Sequence, residues 1–417
     1  MLRQSLLQAI KTHKHLLWAG AIAYVILLLL MPNFGHAWDC ACWGMWATRM
    51  NSNGIASAYT EGSTVNYLPL YLYVLRGYGY LVGTEKIFPL IYTLKVVTLL
   101  FDVGSAIIIS SYFREKKRAW QYILFTLINI GFIYNTIIWN QVDSILSFFL
   151  LAAFTLSYKK HLSGGILFFL LALNVKLQAI VFLPVLGLMW LPLMSWRRIL
   201  EALSIAFLAE LLILSPFIYA GVTSNISVVI TGSVDYYQSV SMNAFNLWYL
   251  LLDGDLMFVK DTIKTVVGLS YKQVGLILFF GSSLYVMWGV LKDSWQVIIK
   301  KAGSRLQLDH WLWIMTLVPI FFFYLNTQMH ERYIHPAIVF LTLLAFRQKL
   351  YGPWLIISMA YALSLESICK ILKLENYDTL IFHQKFISLL YAISLVLLIY
   401  HWIKTKPLKG CFKGWVG

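Results

Sequence analysis

Residues 199–219, ILEALSIAFLAELLILSPFIY, follow the basic pair Arg197-Arg198 and decide the class of fold. The run is long enough to cross about 30 Å of hydrocarbon as a helix, and its apolar residues do not alternate with a period of two. Lipid offers no water to satisfy backbone N–H and C=O groups, so a spanning element is a helix or part of a closed barrel; the missing alternation leaves the helix. Comparable runs recur at 16–31, 88–112, 119–138, 142–157, 162–174, 177–193, 273–291, 311–325, 334–346, 353–372 and 384–403. They predict an all-α, polytopic integral membrane protein of about 12 transmembrane helices (about 11–13), forming one domain over 1–417. Composition agrees: 60% of the 417 residues are hydrophobic and 12% charged, more apolar surface than one water-soluble core hides.

The basic residues give an orientation. With the N-terminus inside and strict alternation, Arg114/Lys116/Lys117/Arg118, Lys159/Lys160, Arg197/Arg198, Lys292/Lys300/Lys301/Arg305, Arg347/Lys349 and Lys404/Lys406/Lys409/Lys413 share the cytoplasmic side. That places about 21 of the 33 Lys and Arg inside and about 11 outside, as the positive-inside bias requires, and predicts that both termini are cytoplasmic. The net charge of +15 then needs no nucleic-acid partner. The first run follows Arg3, Lys11 and Lys14 like a signal sequence, with Gly35-His36-Ala37 as a cleavage-like site. It is long for a signal core and many spans follow, so it is expected to remain as an anchor.

Polar chemistry collects in the outer segments 32–87, 220–272, 326–333 and 373–383. In the first, residues 39–50 put Trp43, Trp46 and Met50 at helical spacing, predicting an amphipathic helix in the membrane interface that Asp39 begins. Residues 67–82, interrupted by Pro69, Gly77 and Gly79, predict a second interfacial or re-entrant helix. Cys40 and Cys42 are too close for a disulfide, Cys369 and Cys411 have no sequence neighbour to pair with, and zinc spacing, phosphate-cradling loops and nucleophile elbows are absent. Asp253-Gly254-Asp255 spells the D-x-D pattern of metal-holding sugar transferases, but two acids around a glycine are more often a solvated turn, and no metal is expected.

Other polar residues sit at the predicted outer helix ends: Asp39; Asn140, Gln141 and Asp143; Asn174, Lys176 and Gln178; and 329–333, Met-His-Glu-Arg-Tyr. A charge at the bilayer centre costs about 3 kcal/mol or more, so such groups face one another or a cavity. One shared outward-facing cavity is the economical reading.

These residues also carry a resemblance. Trp38-Asp39, Asn66-Tyr67-Leu68-Pro69-Leu70-Tyr71, Trp139-Asn140-Gln141-Val142-Asp143, Lys176-Leu177-Gln178, Asn243-Ala244-Phe245-Asn246-Leu247-Trp248 and His330-Glu331-Arg332-Tyr333, in this order, cover most of the chain. The chain resembles bacterial membrane mannosyltransferases related to the second mannosyltransferase of GPI-anchor synthesis, within the GT-C class of glycosyltransferases. It departs at Asn66-Tyr67-Leu68-Pro69, where the family commonly shows Asp-Tyr-Pro-Pro.

The resemblance implies an inverting transferase at the outer face of a bacterial plasma membrane, moving a hexose, with mannose favoured, from a polyprenyl-monophosphate donor to a hydroxyl of a lipid, glycan or protein acceptor, without a cofactor. It makes Asp39 the general base and His330, Arg332 and Lys176 the partners of the donor phosphate. Gln141, Asp143, Gln178, Tyr67, Asn243, Asn246 and Trp248 then hold sugar or acceptor. Each residue has a plainer role beside this one. Asp39 also suits a helix N-cap, Lys176 snorkelling to headgroups, Gln141 helix–helix glue and Trp248 an interface anchor. A lipid-linked-sugar flippase and a glycan polymerase or ligase are the rival functions.

Overall fold

The computed structural model describes residues 2–113, 115, 118–233, 235–300, 306–377 and 379–405. Arg114, Lys116, Lys117, Lys301, Arg305, Lys406, Lys409 and Lys413 of the basic clusters, and Cys411, lie outside the described residues. In chain order the helices are α1 (Leu2–Leu29), α2 (Ala37–Asn53), α3 (Pro69–Val82), α4 (Lys95–Ser111), α5 (Ala119–Leu127) and α6 (Ile130–Phe132), the last running into a π-helix over Ile133–Trp139. There follow α7 (Asp143–Tyr158), α8 (Leu162–Val175), α9 (Leu183–Trp190), α10 (Trp196–Tyr219), α11 (Thr223–Gly232) and α12 (Leu247–Leu251). Last come α13 (Tyr271–Lys300), α14 (Leu308–Leu325), α15 (His335–Gln348), α16 (Tyr351–Cys369) and α17 (Gln384–Thr405). Among the described residues the only extended pairing is a few isolated bridges.

Every apolar run of the sequence falls on helix, yet fewer than twelve meet the length and apolarity needed to cross a membrane alone. Among the described residues six do, and up to seven if Ala119–Leu127 and Ile130–Trp139, bent by 48° where they meet, make one span. Asp143–Tyr158, Leu162–Val175 and Leu177–Leu193 are apolar but shorter, as is Lys14–Leu29, the part of α1 whose side chains are described. Local breaks are one cause of the difference. The Asn129 side chain accepts from Gly131 N and starts a new helix after α5, while Lys176 is extended and separates α8 from the 3-10 turn Leu177–Phe182.

The two helices of the 32–87 segment form, with two corrections. The N-cap of α2 is His36, without a side-chain cap bond, so Asp39 lies in the first turn rather than opening the helix. The Trp43, Trp46 and Met50 face packs on protein rather than on lipid: all three are buried, while Trp38 on the other side is 73% exposed. Trp43 lies edge-on to Tyr71 of α3 at 5.7 Å, and Trp46 is 5.5 Å from Tyr67. Helical spacing identified the apolar face; what covers it is a tertiary matter. Pro69 suits the first turn of α3, and Gly77 and Gly79 remain helical.

One hydrophobic core runs from Cys40 to Leu398, with a small satellite cluster among α1, α4 and α5. α14 and α15 pack against each other at its centre, and α7 pairs with α8 and α15. α10 presents Leu203, Phe207 and Leu212 outward. α2, α3 and the ends of α6, α8 and α14 meet at one end of the bundle, where the polar residues converge.

Candidate active site

The linker from α1 to α2 lies against the end of the π-helix. His36 N donates to Trp139 O at 2.9 Å, and a Cβ on Gly35 would come within 2.9 Å of both Asn140 Cβ and Cys40 Sγ, so only glycine permits this approach. Asn140, left-handed at φ 73°, ends the π-helix and reverses the chain so that Trp139 and Gln141 both point toward α2. Single π-helical turns are frequent at functional sites because the extra residue re-aims side chains.

Asp39 is what they point at. Its Oδ2 accepts from Trp139 Nε1 and Gln141 Nε2, both at 2.6 Å, from Arg332 NH1 at 3.0 Å and from His36 Nδ1 at 3.1 Å. Every one of these bonds is to the same oxygen. The Arg332 guanidinium also lies 5.2 Å from the centre of the Trp139 ring and reaches Glu331 Oε1 at 3.2 Å. Burial by itself raises the Asp39 carboxyl, but Arg332 and the hydrogen bonds from His36 and Trp139 outweigh it and hold the group well below its ordinary 3.8. Burial likewise raises Glu331, and Arg332 and His330 bring it below its ordinary 4.5. Burial disfavours the Arg332 cation, yet Asp39 and Glu331 leave it charged far above its ordinary value.

A second ion pair lies beside the first. Lys176 Nζ donates to Asp143 Oδ1 at 2.6 Å, with the Asp143 side chain wholly buried. The same ammonium sits 5.5 Å from the centre of the Tyr67 ring. Burial pushes the Tyr67 hydroxyl well above its ordinary 10.0, and Arg332, Asp143 and Asp39 all act on it, which places Tyr67 beside both pairs. Asp39, Glu331 and Asp143 thus bring three carboxylates to two permanent cations. Asp143 Oδ2, Gln178 Oε1 and Arg332 Nε are buried without a hydrogen-bond partner among the described residues.

The remaining sequence candidates divide. Gln178 Nε2 donates to Tyr333 O at 2.7 Å, tying the break after α8 to the 3-10 turn Glu331–Ile334. The His330 ring lies 4.6 Å from Tyr237 and 5.3 Å from Tyr333, with Nδ1 3.7 Å from Glu331 Oε2. Asn243 pairs with His330 through its backbone. Asn246 does structural work instead, capping α12 and donating to Phe323 O at 3.2 Å and Asn326 O at 2.9 Å. Trp248 is buried with its ring 5.4 Å from Tyr271 and has no bond into the Asp39 cluster. Outside the cluster, Asp253 pairs with Lys385 at 2.5 Å and Asp255 accepts from Met257 N at 3.0 Å; among the described residues no group of three His, Cys, Asp or Glu is placed to hold a metal ion.

Two contributors, His36 and Tyr237, escaped the sequence reading, as did the buried His335 nearby in the chain. His36, three residues before Asp39, was legible from that spacing. Tyr237 and His335 carried no local signal. His335 is fully buried, its ring 5.9 Å from Tyr361, and neither nitrogen has a hydrogen-bond partner among the described residues.

Comparison of the chain with protein-family models and with curated proteins gives no match. Fold and site by themselves define a chain that, among the described residues, is all-helical, with six to seven apolar helices able to cross a membrane and a buried cluster of paired charges at one end of the bundle.

Proposed function

We propose that the protein is an inverting glycosyltransferase of the GT-C type with about twelve spans, several of them broken or short, that moves a hexose from a polyprenyl-monophosphate donor to an acceptor hydroxyl at the outer membrane face. The observation that carries this reading is the Asp39 carboxylate. It projects from a helix outside the spans, with Trp139, Gln141, Arg332 and His36 fixing one oxygen and leaving Oδ1 as the candidate base.

Oδ1 takes the acceptor's hydroxyl proton as that oxygen attacks the anomeric carbon. The bond from that carbon to the phosphate oxygen breaks on the opposite face, and the electron pair leaves with the polyprenyl phosphate. Arg332, with its planar fork of donors, and His330 neutralise the departing phosphate, with Lys176 nearby. A carboxylate held so far below its ordinary range is a poor base. The donor phosphate corrects this by competing for Arg332: as the guanidinium turns toward phosphate and Glu331, the charge that depresses Asp39 is withdrawn. Mannose and a bacterial plasma membrane follow the resemblance alone.

The test is product analysis with purified protein and a labelled polyprenyl-phosphate hexose. Acceptor-dependent release of free polyprenyl phosphate supports the proposal. Movement of intact donor without release points to a flippase, and release of a diphosphate from a lipid-linked oligosaccharide points to a ligase.

A further inference from the structure

The 48° bend between α5 and Ile130–Trp139 opens a wedge in the bundle. α5 leans on α1 and α4, while α6 and the π-helix lean on α16. Between α5 on one side and α15 and α16 on the other lies a groove of about 580 Å³, within the roughly 300–1,000 Å³ of small-ligand pockets. Its walls are largely apolar, with Phe125, Phe346, Trp354 and Leu355 among them. Phe125 and Leu355 stand about half exposed at the mouth, which therefore opens sideways, toward lipid. The apex is closed by Asn129 Nδ2 donating to Ser358 Oγ at 2.7 Å.

One end of the groove is charged. Arg118 lines it, and the sequence there, Arg114-Glu115-Lys116-Lys117-Arg118, carries four bases and one acid. Among the described residues Arg118 pairs with Glu115, at 3.2 Å and with both side chains 65% exposed, a contact worth about 0–1 kcal/mol that an anion displaces easily. The groove is separate from the Asp39 cluster: the broken span carries Arg118 before its start and Trp139 at its far end. An apolar slot open to lipid with an arginine at one end matches an amphiphile with a negative headgroup.

We propose that this groove is a binding site for one acyl chain of an anionic phospholipid, with the lipid phosphate against Arg118. The lipid fills the wedge and supports the bend that aims Trp139 at Asp39. This holds whatever reaction the Asp39 cluster performs.

Native mass spectrometry of the full-length protein, delipidated in detergent and titrated with phosphatidylglycerol or with phosphatidylcholine of the same chains, tests it. The expected result is saturable retention of one phosphatidylglycerol, preferred over phosphatidylcholine by about fivefold for each basic residue engaged. Arg118→Gln, an exposed position, should reduce that preference while leaving a chain bound. Leu355→Trp and, at the start of α6, Ile130→Trp should each abolish the saturable lipid, with lipid-free thermal midpoints confirming that the variants fold. Equal retention of the two lipids by the unaltered protein, an unchanged preference in Arg118→Gln, or undiminished binding in a folded filled-groove variant would overturn the proposal.

Discussion

Replacing Asp39 by Asn removes one negative charge from the centre of the polar cluster and little else. The new amide oxygen can still accept from Trp139 Nε1 and Gln141 Nε2, but the charge-assisted bond from Arg332 NH1 at 3.0 Å is lost, a contact of about 1.5–3 kcal/mol. Arg332 keeps Glu331 Oε1 at 3.2 Å, so it is not left unpaired and the chain should remain folded. If Asp39 is the general base, turnover falls by about 10²–10⁴-fold, equivalent to roughly 3–5 kcal/mol of transition-state stabilisation. Donor binding should hold or tighten, since the phosphate no longer competes with a carboxylate for the guanidinium. The assay is release of polyprenyl phosphate by purified protein, with donor binding measured in parallel. A pH series adds a check. Arg332 holds the Asp39 carboxyl below its ordinary 3.8, so the pair stabilises fully above that value and is lost only as pH falls through the depressed one. The difference in thermal midpoint between the unaltered protein and Asp39→Asn should therefore be flat from about pH 5 to 8 and close only in stronger acid. Turnover within about threefold of normal would refute the base assignment, as would loss of donor binding alongside activity.

The other expectations follow from neighbouring contacts. Arg332→Ala removes a phosphate partner and should raise KM for the donor as well as lower kcat, together by about 10²–10³-fold in kcat/KM; a change confined to kcat would place Arg332 away from the donor. Lys176→Met leaves the buried Asp143 carboxylate without its cation and should cost about 3–5 kcal/mol in thermal unfolding, most of it recovered by adding Asp143→Asn; no recovery in the double variant would show that the pair is not the cause. Chelation should leave turnover unchanged, because Asp253 and Asp255 lie outside the Asp39 cluster and Arg332 and Lys176 supply cations within it; activity lost with chelator and restored by Mg²⁺ or Mn²⁺ would return the D-x-D reading. Cysteine introduced at the exposed Glu61 should react with an impermeant reagent in intact cells and one at Lys159 should not; the reverse would invert the orientation and move the cluster to the other side.

What the sequence determined by itself was local. The positions of the long apolar helices and the two helices of the 32–87 segment were legible, because a backbone in lipid must satisfy its hydrogen bonds within the segment and hydropathy records that demand residue by residue, whereas α11 and α12 of the 220–272 segment were not. Clustering of polar residues at helix ends also announced a shared site. The sequence did not hold what depends on partners far along the chain. Arg332 meets Asp39 across 293 positions, and Lys176, a free cation on paper, is committed to Asp143. Asn246 turned out to brace α14, while Trp43, Trp46 and Met50 cover protein rather than lipid. Spacing states which residues share a face, but only the packed bundle decides what that face meets. For the same reason the bend after α5 was invisible in an unbroken apolar run: it is set by α5 leaning on α1 and α4 while the next segment leans on α16, with Asn129 held to Ser358 at the turn.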